Sequence, residues 1–255
     1  MTPWVTRIML ANGVAFLLTW VVRIVPPEPL MFVPRLFLLR PWTIVTYMFL
    51  HAGIWHLLFN MLALYFFGPR LEARLGGRQF LLLYFISGIM GAALSVFFTP
   101  YAAIVGASGA VFGVLLGFAR YWPRERIYIW GILPIEARGL VVVMTIISLW
   151  LGFSGGGGNI AHFAHLGGFL GGFLYLKWWD RSSPAARFKA RAKAPLQRSG
   201  GNGGADVKRW QRIRRDEMHP VNQEELDRIL DKIGASGVGS LNAEEREFLE
   251  RFSRR

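Results

Sequence analysis

Four polar side chains stand where their chemistry is unexpected. Ser108 lies in VGASGAVFG (105–113), His165 in AHFAHLGG (161–168), and His56 and Asn60 in HLLFN (56–60), all within strongly apolar surroundings. A serine hydroxyl is a weak nucleophile until an adjacent imidazole takes its proton as it attacks a carbonyl. Such chemistry also needs donors aimed at the developing oxyanion. His56 and Asn60, four apart, share one face of a helix, and the backbone N–H of Ser108, near a helix start, adds a third donor helped by the helix dipole. His56 has a second reading, as a histidine bridging a loop. Residues 1–180 hold only five acids, Glu28, Glu72, Glu125, Glu136 and Asp180. All but Glu28 map to the charged end of the segments, so the expectation is a Ser108–His165 dyad with no carboxylate behind it. His162, three residues before His165, competes as base, but would lie about 4.5 Å further from the charged end.

These residues must be positioned by membrane-spanning helices. Of the 255 residues 53% are hydrophobic, mean hydropathy is +0.34, and several apolar runs approach the roughly 20 residues that cross a bilayer. The expected fold is all-α: a polytopic six-transmembrane-helix bundle followed by a small cytoplasmic helical hairpin. The spans are read at roughly 8–25, 50–67, 79–98, 105–119, 139–153 and 160–178. The first run lacks a small-residue cleavage site and is expected to stay as a span. The proline-interrupted stretch PPEPLMFVPRLFLLRPWTIVTYMF (26–49) is expected to lie in the interface, with Trp42 as an anchor. With no cysteine, neither a disulfide nor a thiol nucleophile is available.

Orientation follows from basic residues. Arg70, Arg74 and Arg78 follow the second segment, Arg120, Arg124, Arg126 and Arg138 the fourth, and Lys177 the sixth. The connections TPYAAIV and SGGGGN carry no Lys or Arg, so they face outside and both termini face the cytoplasm; Arg23, Arg35 and Arg40 in the first outer connection weaken the pattern without reversing it. Counted back from the first cytoplasmic charge, Ser108 is 12 residues before Arg120, His165 is 12 before Lys177, and Asn60 is 10 before Arg70. At 1.5 Å per residue, all lie roughly 15 to 18 Å above the inner boundary. Polar groups at one such depth mark a functional site unless they merely pair structurally. Gly109, Gly113 and Gly117 form a small-residue stripe on the fourth segment, and Gly168 with Gly172 another on the sixth. Such stripes let helix backbones approach closely, and Gly106 is grouped with these packing glycines.

With G-A-S-G (106–109), A-H-L-G-G (164–168) and H-x-x-x-x-H-x-x-x-N (51–60) in this order, the chain resembles the rhomboid intramembrane serine proteases over roughly residues 40–178. The resemblance implies a six-helix core in which Ser108 attacks, His165 is general base and acid, and His56 and Asn60 assist the oxyanion. It implies a structural role for His51. Gly68, Glu72 and Gly76 match the family's cytoplasmic cap of the second helix. Where some members carry a tyrosine packed on the catalytic imidazole, this chain has Phe112, which keeps the stacking face. The family often has Trp-Arg in its first outer loop, where this chain has Trp42-Thr43.

Three functions are weighed. The first is an endopeptidase of the cell inner membrane that cleaves transmembrane segments of substrate proteins near the outer face, with Gly155–Gly158 as a candidate gate or, equally, a plain linker. The second is a catalytically silent relative that binds transmembrane helices. The third is a metal site drawn from His51, His56, His162 and His165, disfavoured because no H-E-x-x-H and no carboxylate accompany them. No metal or other cofactor, and no nucleic acid partner, is implied.

The chain divides into a membrane domain (1–180), a basic flexible linker (181–220) and a C-terminal hairpin (221–255). Residues 187–215 hold ten basic residues and one acid. They fit binding to anionic lipids or a solvated positive-inside linker equally. SGGNGGAD (199–206) reads as flexible. NQEELDRILDKIG and NAEEREFLERFS each open on an Asn with a Glu three later, a capping-box start. The resemblance extends to a short module on some bacterial rhomboids. It either docks on a partner, the membrane or a second copy, or remains loosely ordered.

Overall fold

A computed structural model describes residues 1–129, 131–154, 161–183, 203–210, 212–213 and 218–253. The chain divides into two compact units, Met1–Ser183 and Pro184–Arg255.

The first unit is built from α1 (Pro3–Phe16, extended by a π-helical turn Leu17–Val21), α2 (Thr43–Thr46), α3 (Ile54–Leu75), α4 (Gly77–Phe98), α5 (Ser108–Tyr121), α6 (Ala137–Ser154) and α7 (His162–Ser182). Three helices among the described residues are long and apolar enough to cross a membrane: Pro3–Val21, Gly77–Phe98 and Ala137–Ser154. A fourth span arises if Thr43–Phe49 and Ile54–Leu75, bent by 94°, count as one. The bend falls on Leu50–Gly53, so the second helix begins later than its apolar run. It then continues past Pro69 to Leu75, where Gly76 at φ +83 ends it. Arg70 and Arg74, expected beyond the end of the second segment at 67, are thus within the helix.

Glycines decide which helices touch. A Cβ on Gly168 of α7 would overlap the Gly109 carbonyl oxygen of α5, and one on Gly172 would sit 3.0 Å from the Gly113 Cα. The opposite face of α7 meets α4: a Cβ on Gly167 would lie 2.7 Å from the Gly91 Cα, and one on Gly171 3.1 Å from the Ser87 Cα. Helix α7 is therefore wedged between two helices at backbone distance, as packing without a hydrophobic driving force requires. Two of the expected packing glycines are opposed by side chains and not by a neighbouring backbone. Gly117 faces the side chains of Leu71, Leu83 and Leu176, and Gly106, at φ +124, precedes α5 and lies against the His56 ring.

The proline-rich stretch, expected at the interface, also packs on the protein: Trp42, Leu38 and Leu39 stay exposed while other residues are covered. Phe32, Tyr47 and Met48 are buried in the protein core. Tyr47 donates its hydroxyl hydrogen bond to the Gly88 carbonyl at 2.7 Å, and the Trp42 indole N–H donates to the Pro29 carbonyl at 2.9 Å. Apolar character alone does not distinguish lipid from protein as the burying phase. Nor is the unit purely helical. Strands β1 (Arg126–Ile129) and β2 (Leu133–Glu136) form an antiparallel hairpin between α5 and α6.

At the charged end, Glu72 is buried and accepts hydrogen bonds from the Thr2 hydroxyl (2.5 Å), the Trp4 N–H (3.1 Å) and the Val5 N–H (2.9 Å). It caps the first turn of α1 from the last turn of α3. Asp180 holds α7 to α5 through Arg120 (2.6 Å) and the Tyr121 hydroxyl (2.9 Å).

The second unit contains α8 (Gly203–Trp210), α9 (Pro220–Ser236) and α10 (Ala243–Ser253). Residues 203–206, expected to be flexible linker, start α8, and Trp210 is buried with Leu226, Ile229 and Leu249. The module is thus more than a hairpin. The expected capping box forms on α10: the Glu245 N–H donates to Asn242 Oδ1 (2.7 Å) and the Asn242 N–H to Glu245 Oε2 (2.9 Å). On α9 it does not form, because Pro220 at the first position starts that helix two residues before Asn222. Most of 187–215, and the Gly155–Gly158 gate, lie outside the described residues.

Candidate active site

Ser108 is the first residue of α5. Ala107 occupies the cap position, and no side chain caps this helix. Its first-turn amides, which have no intrahelical acceptor, are consequently not spent on a cap. His165 is on the first turn of α7. Its Nε2 lies 2.8 Å from Ser108 Oγ, across 57 residues of sequence. For the imidazole to accept the hydroxyl proton, Nε2 must be bare and the ring proton must sit on Nδ1. Phe112, one turn below Ser108, stacks on the His165 ring with centroids 4.2 Å apart and planes 18° apart. That contact sets the plane of the imidazole.

Ser108 and His165 open on a cavity of about 500 Å³, which His56, Asn60 and Phe112 also line. Among the described residues no carboxylate lines it. Its walls include Ala103, Ile104 and Val105 before α5 and Ala161 before α7, so it opens at the end of the bundle where α5 and α7 begin, away from Arg120 and Asp180 at their other ends. His56 is held by two neighbours. Its Nδ1 accepts the Ala52 N–H at 3.4 Å, which places the proton of the neutral ring on Nε2. A Cβ on Gly106 would lie 2.6 Å from His56 Cε1 and Nε2 and 3.7 Å from Ser108 Oγ. Only glycine at that φ lets the imidazole edge approach the serine. Asn60 is buried, and one Nδ2 hydrogen is donated to the His56 carbonyl at 2.8 Å, which leaves the second available.

His51 is buried and meets His56 edge to face at 5.0 Å. His162 is also buried, 6.0 Å from His165 at 90°, and it is His165 that reaches the serine. Sequence reasoning missed Tyr47, whose carbonyl accepts the Gly106 N–H at 2.9 Å and so fixes the loop entering α5. It also missed Ser87, Gly88 and Gly91, the wall of α4 behind α7. The I-S-G-I-M-G spacing on the third segment carried that signal.

These helices and their apolar outer surfaces define a multi-pass membrane protein. The Rhomboid domain family matches residues 39–179, and the chain belongs to the rhomboid family, whose members are generally intramembrane serine proteases. A family of unknown function (DUF6576) matches residues 217–255. Among similar proteins are rhomboid-like protease 3 of Toxoplasma gondii, 35% identical over 144 residues (55% of this chain, 52% of that one), and RHOMBOID-like protein 2 of Arabidopsis thaliana, 42% identical over 132 residues (52% and 40%). Rhomboid protease GluP of Bacillus subtilis is 38% identical over 133 residues (52% and 25%). The matches span about half or less of the length of these curated relatives.

Proposed function

We propose that this chain is an intramembrane serine endopeptidase that cleaves transmembrane segments of membrane-protein substrates with a Ser108–His165 dyad. The observation that carries this reading is the 2.8 Å approach of His165 Nε2 to Ser108 Oγ at the wall of an open cavity. Ser108 Oγ attacks the scissile carbonyl carbon while its proton passes to His165 Nε2. The oxyanion is met by the Ser108 N–H, His56 Nε2–H and the free Asn60 Nδ2–H. Collapse breaks the C–N bond as His165 returns the proton to the leaving amine. Water, deprotonated by the same imidazole, then hydrolyses the acyl-enzyme and restores the serine.

The same reading places six spans in an inner membrane, with both termini cytoplasmic and the cleavage site toward the outer face. It also assigns the basic 187–215 segment to anionic lipid. The basic residues after the second, fourth and sixth segments support that orientation, and they outnumber Arg23, Arg35 and Arg40 of the first outer connection.

The test is cleavage of a transmembrane reporter in proteoliposomes by wild type, Ser108→Ala and His165→Ala, with and without a chelator. Cleavage that vanishes in both variants and ignores the chelator supports the dyad. Reporter binding without cleavage by wild type would identify a silent helix-binding relative instead, and sensitivity to chelator would identify metal chemistry.

A further inference from the structure

The connection between α5 and α6 contains the run RIYIWGILPIEAR (126–138), almost wholly apolar between its charged ends. In the β1–β2 hairpin Ile127 pairs with Ile135, Tyr128 with Pro134 and Ile129 with Leu133. Alternation sends Ile127, Ile129, Leu133 and Ile135 to one side, where the three isoleucines pack against the core of the bundle and Leu133, nearest the turn, stays exposed. The ribbon thus lies along the bundle rather than projecting free. In water the opposite side would be polar. Here its charged pair, Arg126 and Glu136, is confined to the base, Tyr128 and Pro134 follow toward the tip, and the turn at Gly131 (φ +72) presents Ile132. Tyr128 is 57% exposed, Leu133 62% and Ile132 83%. A two-stranded ribbon with such a tip is marginal in water by itself, and a contiguous exposed apolar patch marks a contact with membrane or protein.

Three features select lipid. Strand β2 runs directly into α6, whose exposed Val142, Val143, Ile146 and Ile147 make an apolar outer face, so the patch continues a lipid-facing surface. The two acids of the connection are already matched, Glu125 by Arg70 at 3.1 Å and Glu136 by Arg138 at 2.6 Å. This leaves exposed Arg124 and Arg126 as net positive charge at the base of the hairpin. Tyrosine, with an apolar ring and a wet hydroxyl, is the residue of the headgroup layer. The open edges of the ribbon keep its backbone out of hydrocarbon.

We propose that the hairpin is an interfacial anchor: Ile132 and Leu133 dip between the acyl chains of the leaflet at the charged end, Tyr128 sits at headgroup depth, and Arg124 and Arg126 meet anionic phosphates. The anchor fixes where α6 enters the bilayer. Its base is stapled to the end of α5 by the Ala137 N–H to the Glu125 carbonyl (2.9 Å) and the Arg138 N–H to the Pro123 carbonyl (3.1 Å).

The absence of cysteine gives a clean test on the full chain. Ile132→Cys carrying an environment-sensitive fluorophore is reconstituted in phosphatidylcholine vesicles with and without phosphatidylglycerol. The expected result is blue-shifted emission, loss of intensity to lipids with a nitroxide near the headgroup, and protection from aqueous iodide. Phosphatidylglycerol should deepen the effect, and Arg124→Gln with Arg126→Gln, or high salt, should remove that increment. Quenching by iodide and not by nitroxide lipid in both mixtures overturns the proposal. So does shielding that occurs in native membranes but not in pure lipid, which would assign the patch to a protein partner. A response indifferent to phosphatidylglycerol overturns the role of the arginines.

Discussion

Phe112 lies face to face on His165, 4.2 Å between centroids and 18° between planes, on the helix that begins with Ser108. With no carboxylate among the described residues that line the cavity, this stack is the contact that holds the imidazole plane toward the hydroxyl. Aromatic pairs contribute about 0.5–1.5 kcal/mol beyond area burial. Phe112→Ala should therefore lower kcat by up to about tenfold, whereas Phe112→Tyr, which keeps the face, should stay near wild type. Steady-state cleavage of the transmembrane reporter measures both.

In the proposed mechanism Asn60→Ala removes an oxyanion donor, together with its bond to the His56 carbonyl. The expected loss is about 10² to 10³ in kcat, with thermal stability close to wild type because the helix backbone is intact. If kcat stays unchanged while the melting temperature falls, Asn60 is a structural residue and not an oxyanion donor.

The glycines differ in what opposes them. At Gly113 a Cβ would meet the Ser87 side chain, whereas at Gly168 it would meet the Gly109 backbone. Gly113→Ala should destabilise by roughly 1–3 kcal/mol and recover substantially when combined with Ser87→Gly, a strong departure from additivity. No side-chain trimming opens space at Gly168, so Gly168→Ala should remain destabilised in any such pair. Melting temperatures in detergent decide it.

Glu72→Ala strips the cap from α1. Losing a cap costs about 0.5–2 kcal/mol, and the three groups that Glu72 satisfies put this site at the upper end. Hydrogen exchange should rise first at the amides of Trp4 and Val5.

Glu245 gives the second unit an acid sensitivity. Lys232 first, then the Asn242 N–H and Arg228, hold its carboxyl down to about 2 from an ordinary value of 4.5. A depressed carboxylate stabilises the fold above its unfolded value, and the contribution is lost as pH falls from about 4.5 through about 2. Exchange protection at Leu226, Ile229 and Leu249 in the full chain, corrected for intrinsic rates, should drop across that window. Glu245→Gln should flatten the dependence.

The sequence by itself singled out Ser108 and His165, because polar groups at matched depth in apolar segments are costly enough to need a reason. It also placed the glycine stripes and the Asn242–Glu245 capping box, both of which are local in spacing. Tertiary structure decided what those patterns left degenerate. Hydropathy cannot separate a side chain facing lipid from one facing a neighbouring helix, since both surroundings are equally apolar. Hence Tyr47, buried on Gly88, was not legible. Glu72 read as part of a cap on α3, yet its partners are 67 to 70 residues away at the start of α1. The meeting of hydroxyl and imidazole belongs to the same class: backbone contact between α5 and α7, possible only where neither helix carries a Cβ, brings two points 57 residues apart within one hydrogen bond.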